Sequence, residues 1–411
     1  MLVERAYLKN YRNLKAVLLD FNSDLNIILG ANGQGKTNLL EALYYLSTGK
    51  SHRTSRDTEL INKDDEVDEF VVQARIKKKE ELVEKLAVAV SAREKIYRVN
   101  DDRVERMADF LGRLNAVIFS PEDLKLVKGS PSQRRDFLDT EVSQVSPSYY
   151  EKLKRYEKIL RQRNNLLKDI RAGRRKKGEM LAVFTEELTR TGSKIIAKRL
   201  EVVEKLKILA RLQQRKLTEN QENLKIEYEL SFAESRSTSG GSHSSGSSRS
   251  SANSNPKNAK DFSRFIDDFE GTEEDRKALE RVFRQELNSN LETEIERGYT
   301  LAGPHRDDLC LTLNDFDVRK YGSQGQQRTV ALALKLSELE FMKSEQGEYP
   351  VLLLDDVFSE LDRLRRQAVV DLIGSRIQTF ITTTDKELVR DIAPEKEYYF
   401  RVDRGRITRG W

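Results

Sequence analysis

The chain has 411 residues, 37% of them hydrophobic and 34% charged, which is enough for a buried core and for two units of ordinary domain size. No run of 18 or more apolar residues occurs, the N-terminus carries no signal-peptide apolar region, and the single cysteine, Cys310, excludes an intrachain disulfide. These features lead us to expect a cytoplasmic protein without a membrane partner. The net charge of +5 is unevenly placed: Glu151 to Asn220 holds 21 Lys/Arg against 9 Asp/Glu, a local net of +12. Such a concentration is either an electrostatic footprint for a polyanion or a lysine-rich helical face that is merely solvated.

From Leu2 to Arg103 the pattern is strand-rich. Leu25-Asn-Ile-Ile-Leu29 is a short apolar run before a glycine-rich loop, and Thr37-Asn-Leu-Leu-Glu-Ala-Leu-Tyr44 reads as a helix after it. Phe70–Ile76, Leu86–Val90 and Lys95–Val99 alternate as strands, with a turn at Asn100–Asp102. Leu153, Tyr156, Leu160, Leu167 and Ile170 recur at three- and four-residue steps, as do Ile195, Ile196, Leu200, Val203, Leu206 and Leu209. These are two amphipathic helices, too short for a long coiled coil, joined by the basic stretch Arg171-Ala-Gly-Arg-Arg-Lys-Lys177. Serine makes up more than half of Ser235–Ser254, which cannot bury enough to order itself and reads as a flexible insertion (235–258). Two more helical patterns end near Arg297. Strands are then expected at Tyr299–Ala302, Leu309–Leu313, Val351–Leu354 and Thr379–Thr382. The reading is an α/β protein: an N-terminal lobe (1–108), a helical arm domain (109–298), and the completion of the first lobe (299–411).

Gly30-Ala-Asn-Gly-Gln-Gly-Lys-Thr37 fits the phosphate-loop pattern G-x-x-x-x-G-K-[ST] at every fixed position, between a strand and a helix. Its glycines let backbone N–H groups curl around phosphate oxygens, and the helix N-terminus adds its positive end. Lys36 is placed to neutralise phosphate charge, and the Thr37 hydroxyl to ligate Mg²⁺. Val351-Leu-Leu-Leu-Asp-Asp356 is a buried strand delivering carboxylates at its end: Asp355 for the metal, Asp356 to orient and deprotonate the attacking water. A third element, Ser323-Gln-Gly-Gln-Gln-Arg328, precedes the helix Thr329–Leu336 with a serine N-cap and a glycine, a second anion site at a helix N-terminus. One nucleotide has no use for two such termini from the same subunit. In the ABC superfamily, which this order and spacing resemble, the second element meets the phosphate loop of a partner subunit. The match to L-S-G-G-Q is loose, because Gln324 replaces the first glycine. Ser359-Glu-Leu-Asp362 looks like the ABC D-loop, and Thr384 stands roughly where a switch-loop histidine would be, with the neighbouring Thr383 an equal alternative.

Gly30–Asn38 with Leu39-Leu-Glu-Ala42, Tyr321–Arg328 and Leu353–Asp362 resemble the RecF family. So do Leu8–Leu14, Phe119–Leu124 with Gly129–Arg135, and Gly303–Leu309. The resemblance runs to about Val402 and lapses only in the serine-rich stretch. It implies an ABC-type ATPase head, a mixed sheet with helices plus antiparallel strands, carrying an inserted short helical arm. It implies ATP-driven homodimerisation on duplex, gapped or single-stranded DNA, weak DNA-stimulated ATP hydrolysis, and nucleoid association. It further implies work with RecR and RecO to load RecA, in replication-linked repair and the SOS response. The nucleotide set it implies is Gly30, Ala31, Asn32, Gly33, Gln34, Gly35, Lys36, Thr37, Asn38, Arg12 and Asn13, with Ser323, Gln324, Gly325 and Gln326 from a partner, and Glu122 in place of a Q-loop glutamine. DNA contacts are expected at Arg171, Arg174, Arg175, Lys176 and Lys177. A transporter subunit fits less well, lacking both the switch histidine and the standard signature. An SMC-type tether would need a far longer coiled coil, and a nuclease of the OLD type a second acidic centre.

Overall fold

The computed structural model describes residues 1–63, 68–232, 269–361, 363–373, 377–385 and 398–410. The serine-rich stretch 235–258 and Asp362 lie outside the described residues.

Strand alternation sets the layering. Leu14–Asp20, Leu2–Tyr11, Glu69–Lys77, Val83–Ser91, Lys95–Val99 and Asp102–Val104 form, in that order, an antiparallel sheet drawn from the first 104 residues, interrupted by the strand Leu25–Leu29 and the helix Lys36–Thr48. In Glu69–Lys77 and Val83–Ser91 every second residue is buried, as a sheet packed on one face requires. A second sheet runs in the order Arg406–Arg409, Tyr398–Asp403, Leu25–Leu29, Thr379–Thr383, Val351–Asp355, Ala116–Phe119, and all its pairings but that of the edge hairpin are parallel. Its inner strands are buried on both faces. Ile28, Val351, Leu353 and Phe380 face the helix Lys36–Thr48 and the antiparallel sheet beyond it. Ile27, Leu29, Leu352, Leu354 and Ile381 face the opposite core with the helix Gln324–Gln346 and the arm. The helix Lys36–Thr48 is therefore sandwiched between two sheets.

Ala116–Phe119 falls within the segment expected for the arm, yet pairs with Val351–Asp355 as an edge of the parallel sheet. The arm's long helices are Pro147–Arg171 and Glu179–Leu217, spanning about 37 and 58 Å at 1.5 Å per residue. Helix Glu273–Ser289 packs closely on the longer one, where a Cβ on Gly192 would stand 2.7 Å from the Phe283 ring. Arg163, fully buried, donates to Glu294 Oε2 at 2.7 Å and to the Thr185 and Thr300 hydroxyls, fastening both arm helices to the following chain. The expected strand Tyr299–Ala302 is not a strand. Thr300 N–H donates to Asn164 Oδ1 and Leu301 N–H to Glu294 Oε1, so side chains take the backbone donors a sheet neighbour would need. Leu224–Glu229, Asp308–Leu313 and Phe316–Asp317 make a small antiparallel sheet. Among the described residues no helix is long and apolar enough to cross a membrane.

Candidate nucleotide-binding site

Strand Leu25–Leu29 ends at the loop Gly30–Gly35, and helix Lys36–Thr48 begins at once. Gly33 and Gly35 take φ of 78° and 116°, and a Cβ on Gly35 would meet Asn13 Oδ1 at 2.6 Å. Behind the loop, Gln34 O accepts from Asn13 Nδ2 at 2.9 Å and from Gly405 N–H at 2.9 Å, while Arg404 N–H donates to Gln34 Oε1. Asn13 also accepts from Asn38 Nδ2 at 2.8 Å. The phosphate loop is thus braced from two sides before any ligand arrives.

Lys36 Nζ donates to the loop carbonyls of Gly30 at 2.7 Å and Ala31 at 3.0 Å. Burial holds its ammonium below the ordinary value, against the pull of the Asp356 and Asp355 carboxylates. Thr37 Oγ1 donates to Asp355 Oδ1 at 2.9 Å across a sequence separation of 318 residues. Thr382, paired in register with Asp355 on the neighbouring strand, donates to the same oxygen at 2.7 Å and accepts from Asp356 N–H at 3.0 Å. Burial raises the Asp355 carboxyl above the usual range despite these two donors. Asp356 sits at φ 53°, in the left-handed region where the strand gives way to a short 3₁₀ turn. Arg12, Asn32, Gly33, Gly35, Lys36, Thr37, Asn38, Arg53, Asp355 and Asp356 line one cleft of about 340 Å³.

The oxygens of Thr37 and Asp355 suit a small hard cation that keeps waters and draws remaining ligands from a phosphate. Among the described residues no group of three or more His, Cys, Asp or Glu side chains forms a metal cage.

The chain is 47% identical to the DNA replication and repair protein RecF of Halothermothrix orenii, over 100% of this chain and 99% of that protein. The chain belongs to the RecF family. The RecF/RecN/SMC N terminal domain model matches residues 2–406. RecF of Bacillus subtilis is 38% identical over the full length of both chains. A solved structure described as the recombination mediator protein RecF-ATP in the RecFOR pathway superposes with a TM-score of 0.82 at 33% identity, covering 100% of this chain and 99% of that one. An SMC head bound to the C-winged helix domain of ScpA shares the fold at 15% identity, TM-score 0.51.

In this RecF-family chain Ser323, Gln324, Gly325 and Gln326 do not line the cleft. Ser323 caps helix Gln324–Gln346, accepting from Gln326 N–H at 3.2 Å while its own N–H donates to Gln326 Oε1. Ser323, Gln324 and Gly325 are exposed, so the helix N-terminus is open to another molecule. Thr384 is exposed one residue past its strand and also stands outside the cleft lining. Glu122 pairs with Lys125, half exposed, and is likewise not in the lining. Arg12 lines the cleft but is held by a bidentate pair to Glu41, whose carboxyl would be raised by burial yet lies below its usual range through Arg12 and Ser51. Sequence reasoning missed Arg53, which reaches Asn38 Oδ1 at 3.1 Å and Glu41 at 3.5 Å, and Thr382. At the arm's tip Arg174 pairs with Asp169, Lys177 with Glu292, and Arg171 donates to Arg297 O. His305 is packed, its Nδ1 2.8 Å from Tyr156 OH.

Proposed function

We propose that the chain is an ATP-dependent DNA-binding protein of recombinational repair that dimerises around ATP and hydrolyses it slowly. The observation that carries this reading is the division of labour around the phosphate loop. Lys36, Thr37, Asp355 and Asp356 share one cleft, while the exposed Ser323 helix N-terminus stands outside it.

In the bound state the Lys36 ammonium exchanges the Gly30 and Ala31 carbonyls for γ-phosphate oxygens. Thr37 and Asp355 would hold a magnesium ion, which would supply charge neutralisation on the phosphates. Asp356 orients a water in line with the γ-phosphorus and accepts its proton as the new P–O bond forms and the bond to the bridging oxygen breaks, leaving ADP and phosphate. The partner's Ser323 hydroxyl and helix N-terminus would cover the γ-phosphate, so hydrolysis requires the closed dimer. Work with RecO and RecR, RecA loading and a role in the SOS response rest on family membership. Localisation in the cytoplasm at the nucleoid follows from a DNA partner.

Ser323→Arg tests the composite site. Monomer ATP affinity should remain within about twofold of wild type, because Ser323 does not line its own cleft. ATP-dependent dimerisation, read by light scattering on a sizing column, should be lost, and turnover with it. Wild-type dimerisation and turnover in this variant would refute the composite site.

A further inference from the structure

The excess of positive charge in the arm is not spread evenly over its helices. Lys152 and Arg155, one turn apart on Pro147–Arg171, face Arg190, Thr191 and Lys194 of Glu179–Leu217 across a cleft of about 360 Å³. This cleft shares no lining residue with the nucleotide site. Within it, Glu187 is the carboxylate partner of Arg155 and, at 3.5 Å, of Arg190. Lys152 donates to the Ser148 hydroxyl at 3.3 Å, a neutral partner, and among the described residues Lys194 makes no ion pair. Burial and then Lys194 hold the Lys152 ammonium below its ordinary value, with Lys198 and Arg276 pushing the same way and Glu151 opposing. Lys152, Arg155, Arg190 and Lys194 outnumber the two carboxylates beside them, Glu187 and Glu151, and a bound anion relieves the remaining repulsion. At the arm's tip Arg174 and Lys177 each hold a carboxylate of their own, Arg171 a carbonyl and Arg175 the Met180 sulfur, whereas in the cleft Arg155 and Arg190 share a single carboxylate, Glu187.

Arg190, Lys194 and Lys198 recur every four residues along one helix, about 6 Å apart in rise. A row of that repeat suits a ligand carrying charges in series better than a single phosphate. We propose that the Lys152–Arg155–Arg190–Lys194 cleft is where the arm grips the phosphodiester backbone of DNA, in place of the basic turn at the tip. This rests on the DNA-binding reading above and names its site. The lining is four cations and one hydroxyl, the groups that contact phosphate oxygens, so the grip is expected to be largely independent of sequence.

The test compares full-length wild type, Lys152→Ala/Arg190→Ala/Lys194→Ala, and Arg174→Ala/Arg175→Ala/Lys176→Ala/Lys177→Ala, each with ATP and labelled duplex DNA by anisotropy from 50 to 200 mM salt. Each lost phosphate contact removes about 0.9 from the log–log slope, so the cleft variant should lose up to about 2.7, an about 40-fold smaller drop in affinity over that range. The tip variant should keep the wild-type slope. ATP affinity and melting temperature serve as folding controls. Should the triple variant unfold, Lys194→Glu, on an exposed residue, should still flatten the slope by at least about 0.9. A wild-type slope in the cleft variants, or flattening only at the tip, overturns the site. Calorimetry with inorganic pyrophosphate separates the sources: pyrophosphate binding that needs these cations, with an unchanged DNA slope, makes the cleft a small-phosphate site and also overturns it. Absence of DNA binding in wild type would sink the DNA reading itself, and this site with it.

Discussion

At the scale of single residues, Thr382 does two things at once. Its hydroxyl donates to the buried Asp355 carboxylate and accepts the Asp356 backbone N–H, so it holds the oxygen proposed for the metal and the left-handed bend at the carboxylate proposed as the base. Thr382→Val keeps the shape and β-branching but removes both bonds. Loss of an outer partner of a metal ligand commonly costs about 10–100-fold, so ATP turnover should fall by that order and the magnesium dependence should shift upward. ATP affinity should change little, because the phosphate loop is braced elsewhere by Asn13 and Gly405. A magnesium titration of steady-state turnover measures this, and wild-type behaviour would make Thr382 a packing residue only. The residue was hidden in the sequence because its role depends on strand register. Thr382, Thr383 and Thr384 are indistinguishable by composition, and only the pairing Asp355↔Thr382 selects the first. Arg53 was hidden likewise, since it enters the cleft from a loop with no motif of its own. The phosphate loop was legible because its glycines, lysine and threonine are adjacent and their conformations local.

At the scale of elements, the loop between helix Leu291–Arg297 and strand Asp308–Leu313 is fastened to the arm by His305, which lies between Tyr156 OH and Thr300 O. Burial depresses its pKa to about 3, with Arg306, Arg135 and Arg199 adding to the effect and the Thr300 carbonyl opposing it. The folded chain therefore holds fewer protons than the unfolded chain between about pH 6.5 and 3. Stability from this contact is complete above pH 6.5 and is lost as pH falls through that window, by an order of 1 kcal/mol per pH unit. Urea midpoints from pH 7 to 4 should decline less steeply in His305→Gln than in wild type, and equal slopes would remove His305 as the cause. The same loop misled the strand reading. Tyr299–Ala302 has the aromatic and β-branched composition of a strand, but Asn164 and Glu294, which occupy its backbone donors, are not deducible from that pattern. The first arm helix, read from Leu153 to Ile170, was legible almost to its ends at Pro147 and Arg171, but the second, read only from Ile195 to Leu209, runs from Glu179 to Leu217, because its outer turns lack a continuous apolar stripe.

At the scale of the whole molecule, separating the acid pair from the phosphate clamp should separate assembly from turnover. Asp356→Asn keeps Lys36, Thr37 and Asp355, so it should bind ATP and accumulate as a dimer while hydrolysis falls to background; light scattering with ATP checks this. Loss of the dimer together with turnover would instead assign Asp356 to the framework. The parallel sheet that carries this pair has a further consequence during synthesis. The antiparallel sheet is complete once residue 104 is made, but Leu25–Leu29 has as its two neighbours Thr379–Thr383 and Tyr398–Asp403. At about 5–20 residues per second the wait for them is about 20–70 s, during which a strand that is buried along its whole length in the folded chain has neither neighbour to pair with. The cleft that brings the phosphate loop to Asp355 and Asp356 therefore assembles only after the strand Thr379–Thr383, which lies between Leu25–Leu29 and Val351–Asp355 in the sheet, has been made.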